Sequence, residues 1–253
     1  MSGAGPRVHV RPEAVSGTRV VLDAEEARHL RRVLRLRVGD VVRALDGRGR
    51  ELTVRLTALG ARSAEGEILE SATPARESPL HLTLAQGLPK ADKLEIIIRM
   101  STELGVTSVV PLLTSRTVPL GEGRGRRDRW ERVAREAAKQ SGRAVVPAIV
   151  APLELAAWLA ARDPTGLLVC LWERETAPLA ERLPAARPAR ATVVVGPEGG
   201  LADEEVAALE AAGAILAGLG PRVLRTETAG PVAVALLQAR WGDLGEGTAP
   251  AST

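Results

Sequence analysis

The sequence predicts an α/β chain: a mostly parallel sheet with helices on both faces, preceded by a smaller β-rich domain. Three observations carry this expectation. Beyond residue 79, short aliphatic or β-branched runs alternate with helix-length amphipathic stretches, the grammar of a parallel sheet. Before residue 71, short strands follow one another between turn signals such as Gly39-Asp40 and Asp46-Gly47. Between the two lies Ser71-Ala72-Thr73-Pro74-Ala75-Arg76-Glu77-Ser78-Pro79, which has linker composition. The division expected is therefore 1–72, 73–245 and a small, polar, disordered tail over 246–253, with residues 1–6 equally unstructured. At 253 residues, 45% apolar and 26% charged, the chain is long enough for two packed cores.

In the first domain the candidate strands are Val20–Leu22, Val41–Leu45, Leu52–Leu56 and Glu67–Leu69, and they suggest a small barrel. One helix, Ala24–Leu36, places Ala27, Leu30, Val33 and Leu34 on one face and Arg28, Arg31, Arg32 and Arg35 around the rest. In the second domain the strands are Leu80–Leu84, Val109–Leu112, Leu167–Leu171, Thr192–Val195 and Ala214–Leu219. Helices are expected near 92–104, 126–141, 152–161, 203–212 and 227–240. In the first of these, Leu94, Ile97, Ile98, Ser101 and Leu104 form the inner stripe and Gly105 supplies the stop. In the second, Trp130, Val133, Ala134, Ala137 and Ser141 share the apolar side.

Charge and composition narrow the partners. The net charge is only +3, yet lysine occurs only at Lys90, Lys93 and Lys139, so 31 of the 34 basic residues are arginine. Arginine's planar fork suits phosphate, although base composition of the coding sequence explains much of the bias. Clustering says more. From Arg116 to Arg143 there are nine basic residues against four acidic ones, a candidate phosphate-facing strip. Tyrosine and phenylalanine are absent, which excludes an RNA surface built on their stacked rings. One cysteine, Cys170, within an apolar run rules out a disulfide framework and suits a reducing compartment. Three scattered histidines and that cysteine argue against structural zinc. No signal peptide or membrane-length apolar run is seen, so a cytoplasmic protein is expected.

Two Gly/Pro-rich elbows are the most informative feature. Val193-Val194-Val195 stops in Gly196-Pro197-Glu198-Gly199-Gly200, and Ala214–Gly218 leads into Leu219-Gly220-Pro221-Arg222-Val223-Leu224-Arg225-Thr226-Glu227-Thr228. A buried strand emptying into a glycine turn bares backbone N–H and C=O groups, and ligands of open α/β sheets lie at such strand ends. Neither elbow is a G-x-x-x-x-G-K-[ST] or a G-x-G-x-x-G, and Gly121–Gly125 reads as a flexible loop. The markers H-E-x-x-H, G-x-S-x-G and C-x-x-C are also missing. Asp203, Glu204 and Glu205 in the first turn after Gly200 disfavour an anion there. A cationic, uncharged-ended or zwitterionic cofactor fits this pocket better than a polyphosphate.

The elbows stand in one order with Leu88-Pro89-Lys90-Ala91-Asp92-Lys93-Leu94-Glu95, Thr102–Val106, Ser115-Arg116 and Glu136–Arg143. Together with His29–Arg35 and Val38-Gly39-Asp40, this set closely resembles the ribosomal RNA small subunit methyltransferase E family, from Arg7 to about Leu244. The resemblance implies a SPOUT methyltransferase, with a trefoil-knotted α/β domain over 73–245 and a PUA-like RNA-binding barrel over 1–72. It implies a homodimer that transfers a methyl group from S-adenosylmethionine to N3 of a uridine in 16S rRNA of the small ribosomal subunit, without metal or membrane. The cofactor residues carried over are Leu171, Trp172, Glu173, Gly196, Pro197, Glu198, Gly199, Gly200, Leu219, Gly220, Val223, Leu224, Arg225 and Thr228. Arg225, Glu198 and Glu227 are the catalytic candidates, as anion stabiliser or proton acceptor. The RNA-binding candidates are Arg7, Arg28, Arg31, Arg32, Arg35, Lys90, Lys93, Arg116, Arg132 and Arg143.

The chain departs from the family pattern at three places. Arg7 is followed by Val8-His9-Val10 rather than aromatics, Ala91 stands for a glycine, and Met100 stands for a lysine. Two other functions compete with a methyltransferase: a non-catalytic RNA-binding ribosome-assembly factor of the same fold, and a small-molecule α/β enzyme. The intact elbows argue against the first, and the basic strip with a barrel-like domain against the second.

Overall fold

The structure, a computed structural model, describes residues 5–74, 77–118 and 125–245. The expectations for residues 1–4, for the tail at 246–253 and for the loop at 121–124 lie outside the described residues. The chain forms two compact units. One runs to Glu77 and also takes in Arg135–Val146; the other comprises Ser78–Ala134 and everything from Pro147.

The first unit is built on a six-stranded sheet. Its strands are β1 (Arg7–His9), β2 (Val15–Ser16), β3 (Arg19–Leu22), β4 (Val41–Leu45), β5 (Glu51–Leu59) and β6 (Ala64–Ala72). Their order is β1-β4-β5-β6-β3-β2, antiparallel except for the β1–β4 pair. Alternation puts Val20, Leu22, Val42, Ala44, Val54 and Leu56 on one buried face, as a period-two pattern requires. Helix α1 (Ala24–Arg28) starts at Asp23, whose carboxylate accepts the N–H groups of Glu25 and Glu26 at 3.1 Å.

The expected helix Ala24–Leu36 does not run its full length. After Arg28 the backbone widens into a five-residue turn, His29–Val33, closed by the Leu34 N–H on the His29 carbonyl at 3.0 Å. The wider turn shifts the phase of everything beyond it. Ala27 and Leu30 are buried as expected, but Val33 is 66% exposed rather than in the core. Glu26 is buried, accepts the His9 backbone N–H at 3.1 Å and pairs with Lys139 Nζ at 3.1 Å. The His9 ring is pushed down to about 4, first by burial and then by Arg135, so it stays neutral.

The second unit holds a seven-stranded parallel sheet. The strands are β7 (His81–Gly87), β8 (Ser108–Leu113), β9 (Ala148–Ile149), β10 (Leu153–Glu154), β11 (Leu167–Leu171), β12 (Arg190–Val195) and β13 (Ile215–Ala217). Their order is β10-β8-β7-β12-β11-β13, with β9 also pairing β8. Strands β7, β8, β11 and β12 are buried almost continuously, as befits strands covered on both faces. The helices are α2 (Lys93–Glu103), α3 (Arg126–Ser141, its second half in the first unit), α4 (Leu155–Ala161), α5 (Leu179–Arg182), α6 (Asp203–Ala211) and α7 (Thr226–Trp241).

All five expected strands and helices of this unit are present. The helix expected from residue 152 starts instead at Leu155, because Leu153-Glu154 pairs with the end of β8. Cys170 is fully buried and its thiol is pushed up to about 12, first by burial and then by Glu173, as suits a packing residue. Helix α7 is fastened at its far end by buried Gln238, which accepts the Ser78 hydroxyl at 2.6 Å and donates to the Gly105 carbonyl at 2.9 Å. Among the described residues, no helix is long and apolar enough to cross a membrane.

Candidate functional site

The parallel register decides where the glycine elbows go. Leu171 at the end of β11 sits opposite both Val195 of β12 and Ala217 of β13, and Val195 sits opposite Gln86 of β7. The chain therefore leaves β7, β11, β12 and β13 at one edge of the sheet. The loops that follow enclose a cavity of about 530 Å³, within the range of small-molecule sites. Of the fourteen expected cofactor residues, Leu171 through Glu173, Gly196 through Gly200, Leu219, Gly220 and Val223 through Arg225 line it. Thr228 does not. Helix α7 begins at Thr226, so a side chain two residues on is turned about 200° away, and Thr228 is exposed elsewhere. Thr226 takes its place in the lining.

A second cavity, of about 480 Å³, lies between α4, α6 and the end of β8. Its walls are largely aliphatic, with Glu154, Glu204 and Glu205 among the lining, and Glu205 is already spent on the N–H groups of Ser115 and Ala202. Its lining brings no basic side chain into it, whereas the glycine-lined cavity gathers backbone and charged groups and is the candidate site.

The first elbow is a hydrogen-bonded turn. The Gly200 N–H donates to the Pro197 carbonyl at 2.9 Å, and Gly200 has a φ of +72°. A Cβ there would also come within 2.8 Å of a Glu173 carboxylate oxygen, a side-chain tip that can move aside, so the positive φ is what calls for glycine. Arg116 Nη1 donates to the Gly199 carbonyl at 2.6 Å. From the other side, the Lys90 N–H donates to the Glu198 carboxylate at 3.1 and 3.3 Å. The second elbow makes fewer bonds. Gly218 is held by the Ala177 carbonyl and by the Leu179 N–H, but among the described residues no backbone hydrogen bond reaches Leu219 through Leu224.

Charge converges where the two elbows meet. Because β7 and β12 are neighbours, the loop into α2 lies beside the first elbow. Lys93 Nζ sits 2.9 Å from Glu198 Oε1 and 3.4 Å from Glu227 Oε2. The Glu198 contact, more than burial opposes it, raises the Lys93 ammonium above its usual value. Burial alone would raise the Glu198 carboxyl; the hydrogen bonds from Lys93 and from the Lys90 backbone outweigh it and hold Glu198 below the usual range. Arg225 stands at the mouth, 83% exposed, with Nη1 3.9 Å from Glu227 Oε1.

The expected RNA contacts divide into three groups. Arg28, Arg31, Arg32, Arg35, Lys90 and Arg132 have exposed side chains suited to phosphate. Lys93 and Arg116 instead serve the site, through the carboxylate pair and the Gly199 carbonyl. Arg143 must be withdrawn as an RNA contact. It is buried, with Nη2 2.8 Å from Glu77, which also accepts the Val145 N–H. Arg7 is half-buried and donates to the Gln140 carbonyl at 3.3 Å. Sequence reasoning also missed Gln86, which lies beneath the first elbow; a lone glutamine in an aliphatic strand was the available signal.

Fold and site together are those of an RNA methyltransferase. The family model described as RNA methyltransferase domain matches residues 76–238, and the one described as RNA methyltransferase PUA domain matches residues 22–69. Among relatives, the ribosomal RNA small subunit methyltransferase E of Synechocystis sp. is 38% identical over 236 residues, covering 92% of this chain and 77% of that protein. The protein of the same name from Bacillus subtilis is 32% identical, covering 82% and 85%. The chain belongs to the ribosomal RNA small subunit methyltransferase E family. Among solved structures, the Neisseria gonorrhoeae member bound to S-adenosyl methionine superposes with a TM-score of 0.87 at 33% identity, covering 94% of this chain and 99% of that one. A methyltransferase from Legionella pneumophila with bound SAM gives 0.86 at 30% identity, covering 95% and 99%.

Proposed function

We propose that this chain methylates N3 of a uridine in 16S rRNA of the small ribosomal subunit, with S-adenosylmethionine as donor. The observation that carries the reading is the convergence of three strand-end loops, Leu171–Glu173, Gly196–Gly200 and Leu219–Arg225, on one cavity with a lysine and two glutamates. The cavity suits the cofactor. Its walls are backbone, aliphatic groups and Trp172. Its charges are mixed, with Glu173 and Glu175 beside the Lys93–Glu198–Glu227 cluster and Arg222 and Arg225, and such a mixture suits a zwitterionic ligand bearing an amine, a carboxylate and a sulfonium. S-adenosylmethionine supplies an electrophilic methyl group.

The chain's own residues do the rest. Uracil N3 carries a proton that must leave before or as the nitrogen attacks. Glu227 accepts it: its side chain lines the cavity, with Oε2 held 3.4 Å from Lys93 Nζ and Oε1 turned toward Arg225 at the mouth, 3.9 Å from Nη1. Arg225, exposed at the mouth, stabilises the negative charge that spreads onto the uracil oxygens. Glu198 is committed to Lys93 and the Lys90 N–H, and serves as the clamp that holds the first elbow. Positioning of base against methyl provides much of the acceleration.

In this reading residues 1–72 form the PUA-like RNA-binding domain and 73–245 the SPOUT methyltransferase domain, whose second elbow belongs to a trefoil knot. Arg28, Arg31, Arg32 and Arg35 face the rRNA, and the enzyme works as a cytoplasmic homodimer. The test is methylation of small subunits lacking the modification, with mapping of the altered nucleotide. Labelled methyl on N3 of one 16S uridine is expected; label on another base, or none with cofactor bound, contradicts the assignment.

A further inference from the structure

Beneath the charged contacts at the mouth lies a second, uncharged link between the elbows. Gln86, the next-to-last residue of β7, is fully buried. Its Nε2 donates to Thr226 Oγ1 at 2.8 Å, to the Gly87 carbonyl at 3.0 Å and to the Gly196 carbonyl at 3.3 Å. Thr226, also buried, donates its hydroxyl hydrogen to the same Gly196 carbonyl at 2.7 Å. Gly196 opens the first elbow, and Thr226 closes the second. One carbonyl oxygen thus receives a donor from the end of the other elbow and a donor from β7, the neighbour of β12 on the side away from β11.

The surrounding packing is shaped around this arrangement. Helix α7 comes so close to β7 that a Cβ on Gly230 would lie 2.9 Å from Gln86 Oε1 and 3.4 Å from Leu84. Pro231 follows inside α7, where its missing N–H removes one intrahelical hydrogen bond. Exchanging Gln86 for an aliphatic residue of the same shape removes the donor to Thr226 Oγ1 and one of the two donors to the Gly196 carbonyl. Gln86 Oε1, against Gly230, has no hydrogen-bond partner among the described residues, so the donations of Nε2 and of the Thr226 hydroxyl are what fix the arrangement. Both elbows line the cofactor cavity, so their mutual spacing is its width.

We infer that Gln86 and Thr226 are positioning residues: a neutral clasp that sets the spacing of the two elbows and so the affinity for the methyl donor. This rests on the reading that S-adenosylmethionine occupies the cavity between the elbows. Neither residue touches the reacting atoms in this scheme. Loss of the clasp acts on cofactor binding through Gly196 and the start of α7.

The test is calorimetric titration of the full-length protein with S-adenosylmethionine, well below the thermal transition. Thr226→Val keeps the shape and removes the hydroxyl; Thr226→Ala is the second variant should valine not fold; Thr226→Ser restores the donor. About tenfold or greater weakening is expected for Val or Ala, with Ser within about twofold of wild type. Gln86→Met combined with Thr226→Val is expected to lose far less than the product of the two single losses, as coupled residues do. Thr226→Val and Thr226→Ala binding within twofold of wild type would overturn the clasp while leaving the cofactor reading intact. So would equal weakening in the serine variant. A wild-type protein that does not bind S-adenosylmethionine would instead overturn the cofactor reading, and the clasp with it.

Discussion

The two elbows lie at the same edge of one sheet and line one cavity, yet they are held very differently. Gly196–Gly200 is closed by its own turn, gripped by Arg116 through the Gly199 carbonyl, and clamped through Glu198 by Lys93 and the Lys90 N–H. Leu219–Leu224 has none of these: its backbone makes no hydrogen bond among the described residues, and Val223 is 82% exposed. Density of bonds marks what is preorganised, and their absence marks what can adapt. The first elbow is a fixed wall for the cofactor. In the proposed reading the second ends in the arginine that meets the RNA, Arg225, and its sparsely bonded backbone leaves it free to close on both ligands.

That contrast makes the same kind of substitution act differently on each side. The largest effect is expected at Gly200→Val, where a positive φ strains a β-branched residue and the Glu173 carboxylate would have to move out of the cavity wall. Cofactor affinity should fall about 100-fold in calorimetry while circular dichroism stays native; wild-type affinity would show that the first elbow is not rigid. Arg225→Ala, on the second elbow, should lower kcat about 100-fold and leave the cofactor Kd within about threefold. Unchanged turnover on unmodified subunits would remove Arg225 from the chemistry.

Smaller effects follow. Glu198→Gln should weaken cofactor binding about tenfold by releasing Lys93. The pH dependence has a definite sign. Glu198 is held below its ordinary value, so the clamp is fully present above the usual carboxylate range and is lost as pH falls through that lowered value. Affinity in the wild type should be level from about pH 6 to 8 and drop only in acid, and the drop should be absent in Glu198→Gln. The smallest effect is expected for Val223→Ser, within about twofold in both Kd and kcat, since the side chain it trims is nearly free of the protein.

What could be seen in the sequence was whatever local chemistry decides. The two elbows were visible because a β-branched run ending in Gly-Pro-Glu-Gly-Gly leaves little choice of conformation. The alternation of strands and helices was visible for the same reason. What depended on phase was harder. Thr228 was expected in the site and Thr226 is there, because the start of α7 fixes which side chain faces inward. Val33 left the core because one wide turn rotated it. Contacts across long stretches of chain were not visible at all. Lys93 and Arg116 look like phosphate ligands in isolation, and only the pairing of β7 with β12 and the loop after β8 bring them to the first elbow. Arg143 looks equally free until Glu77 is placed beside it. Gln86 carries no sequence signal beyond its polarity, and its role follows from what lies above it.

Amide hydrogen exchange with and without S-adenosylmethionine addresses the central claim most directly, because it reads each elbow separately. The Gly200 amide, which closes the first elbow's turn, should be protected already and change little, whereas the amides of residues 219–225 should gain marked protection when the cofactor binds. Binding that leaves both elbows unchanged, or that protects only a distant segment, would contradict the account.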